Sequence, residues 1–323
     1  MKRVLITGGC GFIGSNLTNY FLKKRVKVIV LDKYNFHNNY GWLEDIKNNK
    51  NLEVELGDIR DYDIVNNTIK KVDSVIHLAA LIGIPYSYKS PLAYINTNIL
   101  GTYNILESCK QNKIKNIIVT STSEVYGSSR YEPMDENHPT ESQSPYAASK
   151  NSADELTKSY FRSFNLPIKI IRPFNTYGPR QSARAVIPNI IFQLNNKKIK
   201  KVKLGNLTPK RDYTYVEDLC DAYYKIYNLK KFGETYNVGT NEKISIKDLY
   251  NLISETIGIK KEIIIENIRK RKKTSEVMSL RSNFNKLNKA TGWKPKTSFV
   301  KGLKKTIIWV KKNQKIYKDI YNI

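Results

Sequence analysis

Short apolar runs separated by longer amphipathic stretches set the rhythm of this chain. Residues 2–7 read as a buried strand, and a helical pattern follows over residues 15–24. A second apolar run at 26–31 ends in Asp32, and further runs fall at 52–56, 74–78, 116–120 and 168–171. Strands buried on both faces read as continuous apolar runs, and their alternation with helices predicts an α/β fold with a doubly wound parallel sheet. Later helices are expected over residues 93–110, from Pro145 onward, and over 245–257, where Ser245 stands as N-cap with Asp248 at N3.

The first strand runs into Gly8-Gly9-Cys10-Gly11-Phe12-Ile13-Gly14, and the first helix starts there. Gly8 permits a tight turn, Gly11 lets the backbone approach a pyrophosphate, and Gly14 lets the helix pack close to the strand. Exposed N–H groups and the dipole at the helix start favour a phosphate there. Asp32, at the end of the second strand, can accept a hydrogen bond from an adenosine 2′-hydroxyl, which favours NAD over NADP. A glycine loop alone is weak evidence, but strand, loop, helix, second strand and acidic end together point to a dinucleotide site.

Ser144-Pro145-Tyr146-Ala147-Ala148-Ser149-Lys150 marks a second centre. Proline suits the first turn of a helix. Tyr146 and Lys150 then share one face, because residues four apart are neighbours. An ammonium beside a phenol favours the phenolate and is expected to lower a pKa that ordinarily lies near 10. By itself this spacing fits a surface Tyr and Lys equally well.

Glycines spaced G-x-x-G-x-x-G, together with Tyr146-x-x-x-Lys150, resemble the short-chain dehydrogenase/reductase superfamily, and the length resembles its extended branch of nucleotide-sugar epimerases, dehydratases and decarboxylases. The resemblance covers nearly the whole chain. It implies a Rossmann domain for NAD over residues 1–172 and 213–240, and a smaller, interleaved C-terminal α/β substrate domain over 173–212 and 241–323. It implies cofactor contacts from the glycine loop with Phe12 and Ile13, from Asp32, from Asp58 and Ile59 beside the adenine, from Leu78, Ala79 and Ala80 at the pyrophosphate, and from Tyr146 and Lys150. An ordinary strand-to-helix turn remains the alternative for Asp58. In Thr122-Ser123-Glu124 it implies that Thr122 binds the sugar 4-oxygen beside Tyr146, and that Glu124 removes the C5 proton of a 4-keto sugar. Arg172-Pro173-Phe174-Asn175-Thr176-Tyr177-Gly178-Pro179 resembles the family's R-P-x-N-x-Y-G-P and makes Asn175 a substrate ligand, with Arg184 a phosphate partner further on. Arg211, in Arg211-Asp212-Tyr213, offers a bidentate fork to a phosphate, or else an ion pair with Asp212 or Asp218. Arg271 is the tail arginine expected on the nucleotide phosphates, but Arg269 competes for that place because Lys272 stands where relatives have proline. The helices at 93–110 and from Pro145 form the dimer bundle in relatives, so a homodimer is expected.

The formal net charge of +26 raises the question of nucleic acid. Lysine is spread along the chain with much Asn and Ile, and no nucleic-acid motif accompanies it, so a solvated basic surface is the expected reading. No apolar run is long enough to span a membrane, and no signal peptide is recognised at the start. Cys10, Cys109 and Cys220 are far apart and suggest neither a disulfide framework nor a metal site, which fits a cytoplasmic protein.

Three reactions branch from a 4-keto sugar: 4,6-dehydration, loss of a C6 carboxylate, and 4-epimerisation. Ser123 is a poor acid for expelling water and also stands in UDP-glucuronate decarboxylases. The segments at 80–88 and 173–184, with Ser275-Glu276-Val277, instead look like the 4,6-dehydratases of legionaminic acid pathways, which act on a nucleotide-linked N-acetylglucosamine. Dehydration is the preferred reading. A non-catalytic relative that binds a nucleotide or RNA is the other class, and the intact Thr122, Glu124, Tyr146 and Lys150 weigh against it.

Overall fold

A computed structural model describes residues 2–33 and 39–317. Seven strands form its central sheet: β1 (Arg3–Thr7), β2 (Lys27–Asp32), β3 (Leu52–Leu56), β4 (Ser74–His77), β5 (Ile117–Thr120), β6 (Ile168–Pro173) and β7 (Thr235–Val238). Their order is β7-β6-β5-β4-β1-β2-β3, and every pair is parallel. This is the sheet expected from the alternation of apolar runs. The chain leaves β1 toward β2 and β3, then crosses back to place β4 on β1's other side. Ligands of such sheets bind at that switch point, outside the carboxyl ends of the strands.

Apolar side chains cover both faces of the sheet. One face buries Leu17 and Phe21 with Leu219, Tyr223 and Tyr227. The other buries Ile69, Leu106 and Cys109 against Leu5, Val75 and Ile117. A third cluster, with Ile187, Ile190, Ile191, Leu249, Ile253, Leu303 and Val310, forms the interior of a smaller lobe. Leu287 and Trp293 belong to the first cluster, so the Asn285–Thr291 helix and the turn after it fold back onto the sheet.

Helix boundaries follow local chemistry. The Phe12–Lys23 helix starts at Gly11, which supplies no side-chain cap, so its first N–H groups are left for another partner. Ser144 caps the Pro145–Phe164 helix, its Oγ accepting from Ala147 N at 3.1 Å, with proline in the first turn. Ser245 Oγ accepts from Asp248 N at 3.0 Å, as its sequence position predicts, and that helix stops at Gly258 in a left-handed turn. The helix expected over 93–110 is interrupted: an α-turn at Pro91–Tyr94 widens to π-helix over Ile95–Leu100 before Gly101–Gln111 resumes as α. At its end, Gly101 lies so close to Ile59 that a Cβ would sit 2.5 Å from Ile59 Cδ1. Among the described residues, no helix is long and apolar enough to cross a membrane.

Candidate active site

The glycine loop joins β1 to the first helix at the switch point. Gly8 has φ +72, and a Cβ there would lie 2.9 Å from Ala79 N and Cα. A Cβ on Gly14 would come within 2.1 Å of Gly8 O, so helix and loop touch backbone to backbone. Gly11 is exposed at the helix start, and Phe12 and Ile13 form the first turn, with Phe12 O accepting from Asn16 Nδ2 at 2.9 Å. Together these residues leave a concave backbone surface carrying uncapped N–H groups, a cradle for a pyrophosphate.

Asp32 closes one side of the loop. Its Oδ2 accepts from Cys10 N at 2.7 Å and its Oδ1 from Lys33 N at 2.7 Å. Burial raises its carboxyl pKa, and these N–H groups work against the rise. On the other side, Thr7 Oγ1 accepts from Leu78 N and Ala79 N, both at 3.1 Å, and fixes the 78–80 backbone, where Ala80 is partly exposed. Buried His77 shares a 2.7 Å contact with Thr7 Oγ1 and a 3.1 Å contact with Thr102 Oγ1. Burial lowers its pKa to about 3, so it is neutral at any working pH and serves as scaffold.

Asp58 is bound by a forked Arg60, with Nη2 at 2.6 Å and Nε at 3.0 Å. That ion pair holds its carboxyl below the usual range. Arg60 thereby stiffens the turn between β3 and the Tyr62–Ile69 helix. Ile59 is buried, and its carbonyl accepts from Asn104 Nδ2 at 2.9 Å.

Beyond β5, Thr122 caps a short 3-10 turn over Ser123–Tyr126, its Oγ1 accepting from Glu124 N at 3.3 Å. Ser123 is buried and Glu124 nearly so. Tyr146, in the first turn of its helix, is buried against the edge of Tyr94, with ring centroids 6.2 Å apart. Thr122 and Glu124 are both close enough to act on its phenol, the first favouring ionisation and the second opposing it.

The expected effect of Lys150 on Tyr146 needs correction. Lys150 Nζ donates to Thr120 O at 2.6 Å. Burial pushes the phenol pKa up, and the charges of Glu124, Tyr94 and Asp154 add to the rise, while Thr122 opposes it. The reason is desolvation: a fully enclosed phenolate loses more hydration than one neighbouring lysine restores. The same burial lowers Lys150 from 10.5 to about 8, with Asp154 pulling the other way.

Asn175, Arg184, Arg211 and one of Arg269 and Arg271 are the residues expected on the substrate side. Asn175 begins a short strand, Asn175–Tyr177, paired with Tyr213–Tyr215, and its Oδ1 is buried with no partner among the described residues. Arg184 is exposed, near enough to Tyr94 for its charge to act there. Arg211 takes neither Asp212 nor Asp218 as its ion-pair partner. It is buried and faces Glu276, with Nη2 3.5 Å from Oε1, while Asp212 accepts from Thr240, Asn241 and Ser282. The two tail arginines separate: Arg269 Nε binds Glu266 at 2.6 Å, whereas Arg271 Nη1 donates to Glu124 Oε2 at 3.3 Å. Arg271 is therefore the one that reaches Glu124.

Two features escaped the sequence reading. Glu276 lies between Arg211 and Arg271, where the sequence had shown only a subgroup marker. Asp154, fully buried on the Tyr146 helix, is ion-paired to Arg172 at 3.0 Å. Its position four residues beyond Lys150 and eight beyond Tyr146, on the same helix face, was the signal for it.

Residues 5–306 match the family model described as GDP-mannose 4,6 dehydratase. The dTDP-D-glucose 4,6-dehydratase of Dictyostelium discoideum is 34% identical, covering 99% of this chain and 84% of that protein. A putative UDP-glucose 4-epimerase of Methanocaldococcus jannaschii is also 34% identical, covering 97% and 99% respectively. Among solved structures, the dTDP-glucose 4,6-dehydratase of Bacillus anthracis in complex with NAD superposes with a TM-score of 0.88 at 29% identity, covering 98% of this chain and 99% of that one.

Proposed function

Because the chain belongs to the GDP-mannose 4,6-dehydratase family of nucleotide-sugar dehydratases and epimerases, we propose that it catalyses the NAD-dependent 4,6-dehydration of a nucleotide-linked N-acetylhexosamine. The single observation carrying dehydration is Glu124: a nearly buried carboxylate next to Tyr146, with its N–H held by Thr122. Oxidation at C4 alone has no use for a base there. The likeness of residues 80–88 and 173–184 to dehydratases of legionaminic acid pathways supports the N-acetylglucosamine nucleotide.

The cradle fits NAD. Gly8 and Gly14 have no room for side chains, the Gly11 helix start offers uncapped N–H groups, and Asp32 presents a carboxylate beside them. Bound there, NAD would supply the hydride acceptor for oxidation at C4 and the hydride donor for the later reduction. Gly8, Gly11, Phe12, Ile13 and Gly14 would hold its pyrophosphate, Asp32 a ribose, and residues 78–80 the loop edge opposite.

Tyr146 accepts the C4 hydroxyl proton. The base is the phenolate: burial opposes that form, while the Thr122 side chain and a charged Lys150, four residues on, favour it. Glu124 then removes the C5 proton, which the adjacent ketone has acidified. As Ser123 is a poor acid, the protonated Glu124 is the group at hand to give a proton to the departing C6 hydroxyl. Asn175 Oδ1, buried and unpaired, is matched to a substrate donor, and Arg211 and Arg271 to the diphosphate.

Residues 1–172 and 213–240 form the cofactor domain in this reading, and 173–212 with 241–323 the substrate domain, apart from the 284–293 segment packed on the sheet. The chain pairs with a second copy through its 91–111 and 145–164 helices. Leu92, Ile95, Leu100, Tyr103 and Phe164, all exposed there, support this.

The test is Glu124→Gln. The NAD-loaded variant should still oxidise C4, seen as NADH absorbance on adding substrate, but should incorporate no solvent deuterium at C5. Normal exchange at C5 removes Glu124 from the mechanism. Epimerisation is the second reading, favoured by the Methanocaldococcus relative; it predicts a product of unchanged mass.

A further inference from the structure

Four charged side chains meet beside Tyr146 in one chain of contacts. Arg271 Nη1 donates to Glu124 Oε2 at 3.3 Å. Arg271 Nε lies 3.9 Å from Glu276 Oε1, and the same oxygen lies 3.5 Å from Arg211 Nη2. The side chains are largely withdrawn from water, at 12% exposure for each glutamate, 6% for Arg211 and 22% for Arg271. Two positive and two negative groups balance, so the cluster is neutral in the protein alone. Glu124 and Glu276 both favour the charged form of Arg271, against the burial that opposes it.

A nucleoside diphosphate brings a negative charge on each phosphate, and guanidinium groups donate to such oxygens in forked pairs. With both glutamates still in place, the anions would outnumber the cations two to one, at distances over which a buried site screens little. One carboxylate has to give way. Glu276 Oε1 faces both arginines, whereas Glu124 pairs with Arg271 alone. Displacing Glu124 breaks one direct contact and leaves Glu276 spanning both arginines, whereas displacing Glu276 breaks two.

We propose that Glu124 is the resting counter-ion of Arg271, and that the substrate's diphosphate displaces it, freeing the carboxylate to act on the sugar. This rests on the reading that a nucleotide sugar binds here, and extends it by linking recognition of the phosphates to release of the base at the other end of the substrate. A sugar without its diphosphate meets a base still tied to Arg271. Glu276 remains as the counter-ion shared by the two arginines.

The experiment is a calorimetric titration of the NAD-loaded protein with UDP, dTDP, GDP and CDP, taking the tightest as probe. It compares the wild type with Glu124→Gln, Arg271→Met and the double variant. Arg271→Met should weaken binding. Glu124→Gln should tighten it about fivefold, the size expected for removing one partly screened ion-pair competitor. That gain should vanish when Arg271 is Met and persist when Arg271 is Lys, which keeps the charge and guards against a misfolded Met variant. If Arg271→Met weakens binding while Glu124→Gln leaves it unchanged or weaker, the exchange is wrong and the nucleotide site stands. Equal tightening with and without Arg271 also overturns it, because repulsion through space then explains the gain. If folded Arg271→Met and Arg271→Lys both bind every nucleotide as the wild type does, the assignment of the phosphate site fails along with the exchange.

Discussion

Asp154→Asn tests how the reaction centre is held. Asp154 is fully buried; its Oδ2 accepts from Ser121 Oγ at 2.7 Å and from Arg172 Nε at 3.0 Å, with Arg172 Nη2 also at 3.0 Å. Arg172 continues to Tyr126 OH at 3.0 Å, and Tyr126 donates to Asn237 at 2.8 Å, so one network ties the Tyr146 helix to β6 and β7. Asparagine keeps the shape and an acceptor oxygen but leaves the Arg172 guanidinium buried without a counter-ion. Removing one partner of a buried pair costs about 3–5 kcal/mol, and the retained acceptor places this change at the lower end, about 3 kcal/mol. Urea unfolding followed by tryptophan fluorescence measures it, as a lower midpoint with the slope unchanged. Asp154→Leu with Arg172→Met should recover most of the loss, because an apolar pair of similar volume needs no charge compensation. The same Asp154→Asn change should lower the Lys150 pKa below about 8, since Asp154 is the group that raises it. A loss under about 1 kcal/mol would refute the network as a structural tie.

Three shorter predictions follow from the geometry. Gly14→Ala places a methyl 2.1 Å from Gly8 O, so the loop must shift; NAD affinity by fluorescence titration should fall at least about fivefold, the lower end of the roughly 1–3 kcal/mol of an overpacked contact, and unchanged affinity would show that the loop is not the cradle. Asp32→Ala removes the acceptor of Cys10 N along with the expected ribose contact, and should weaken NAD more than NADP; equal loss for both would mean that Asp32 only shapes the loop. Lys150 has its folded pKa lowered to about 8 from 10.5, so between those values the unfolded chain binds more protons and stability rises with pH. Lys150→Met should remove up to about 3 kcal/mol of that rise relative to the wild type, read from urea midpoints between about pH 8 and 10; parallel profiles would show that Lys150 is not desolvated.

The sheet was legible because strands buried on both faces read as plain apolar runs, and the glycine loop because each glycine answers a close approach of backbone. The Tyr146–Lys150 spacing correctly put both residues on one face. Its electrostatics were not legible: the pKa of a phenol depends on how completely it is enclosed, and the ring of Tyr94 that encloses it comes from a distant helix. Arg269 and Arg271 were indistinguishable in a lysine-rich stretch, since only the turn at Lys273–Ser275 and the acids at 124 and 266 decide which way each points. The Asp58–Arg60 pair, two residues apart, is local enough to be read from sequence.

In the proposed function, Glu124 turns C4 oxidation into loss of water. Incubating the NAD-loaded protein in deuterated water with a panel of nucleotide sugars, N-acetylglucosamine nucleotides among them, and weighing the products tests it directly. The predicted result is one substrate whose product has lost the mass of a water molecule and gained solvent deuterium at C5. A product of unchanged mass, or one lighter by carbon dioxide, would contradict it.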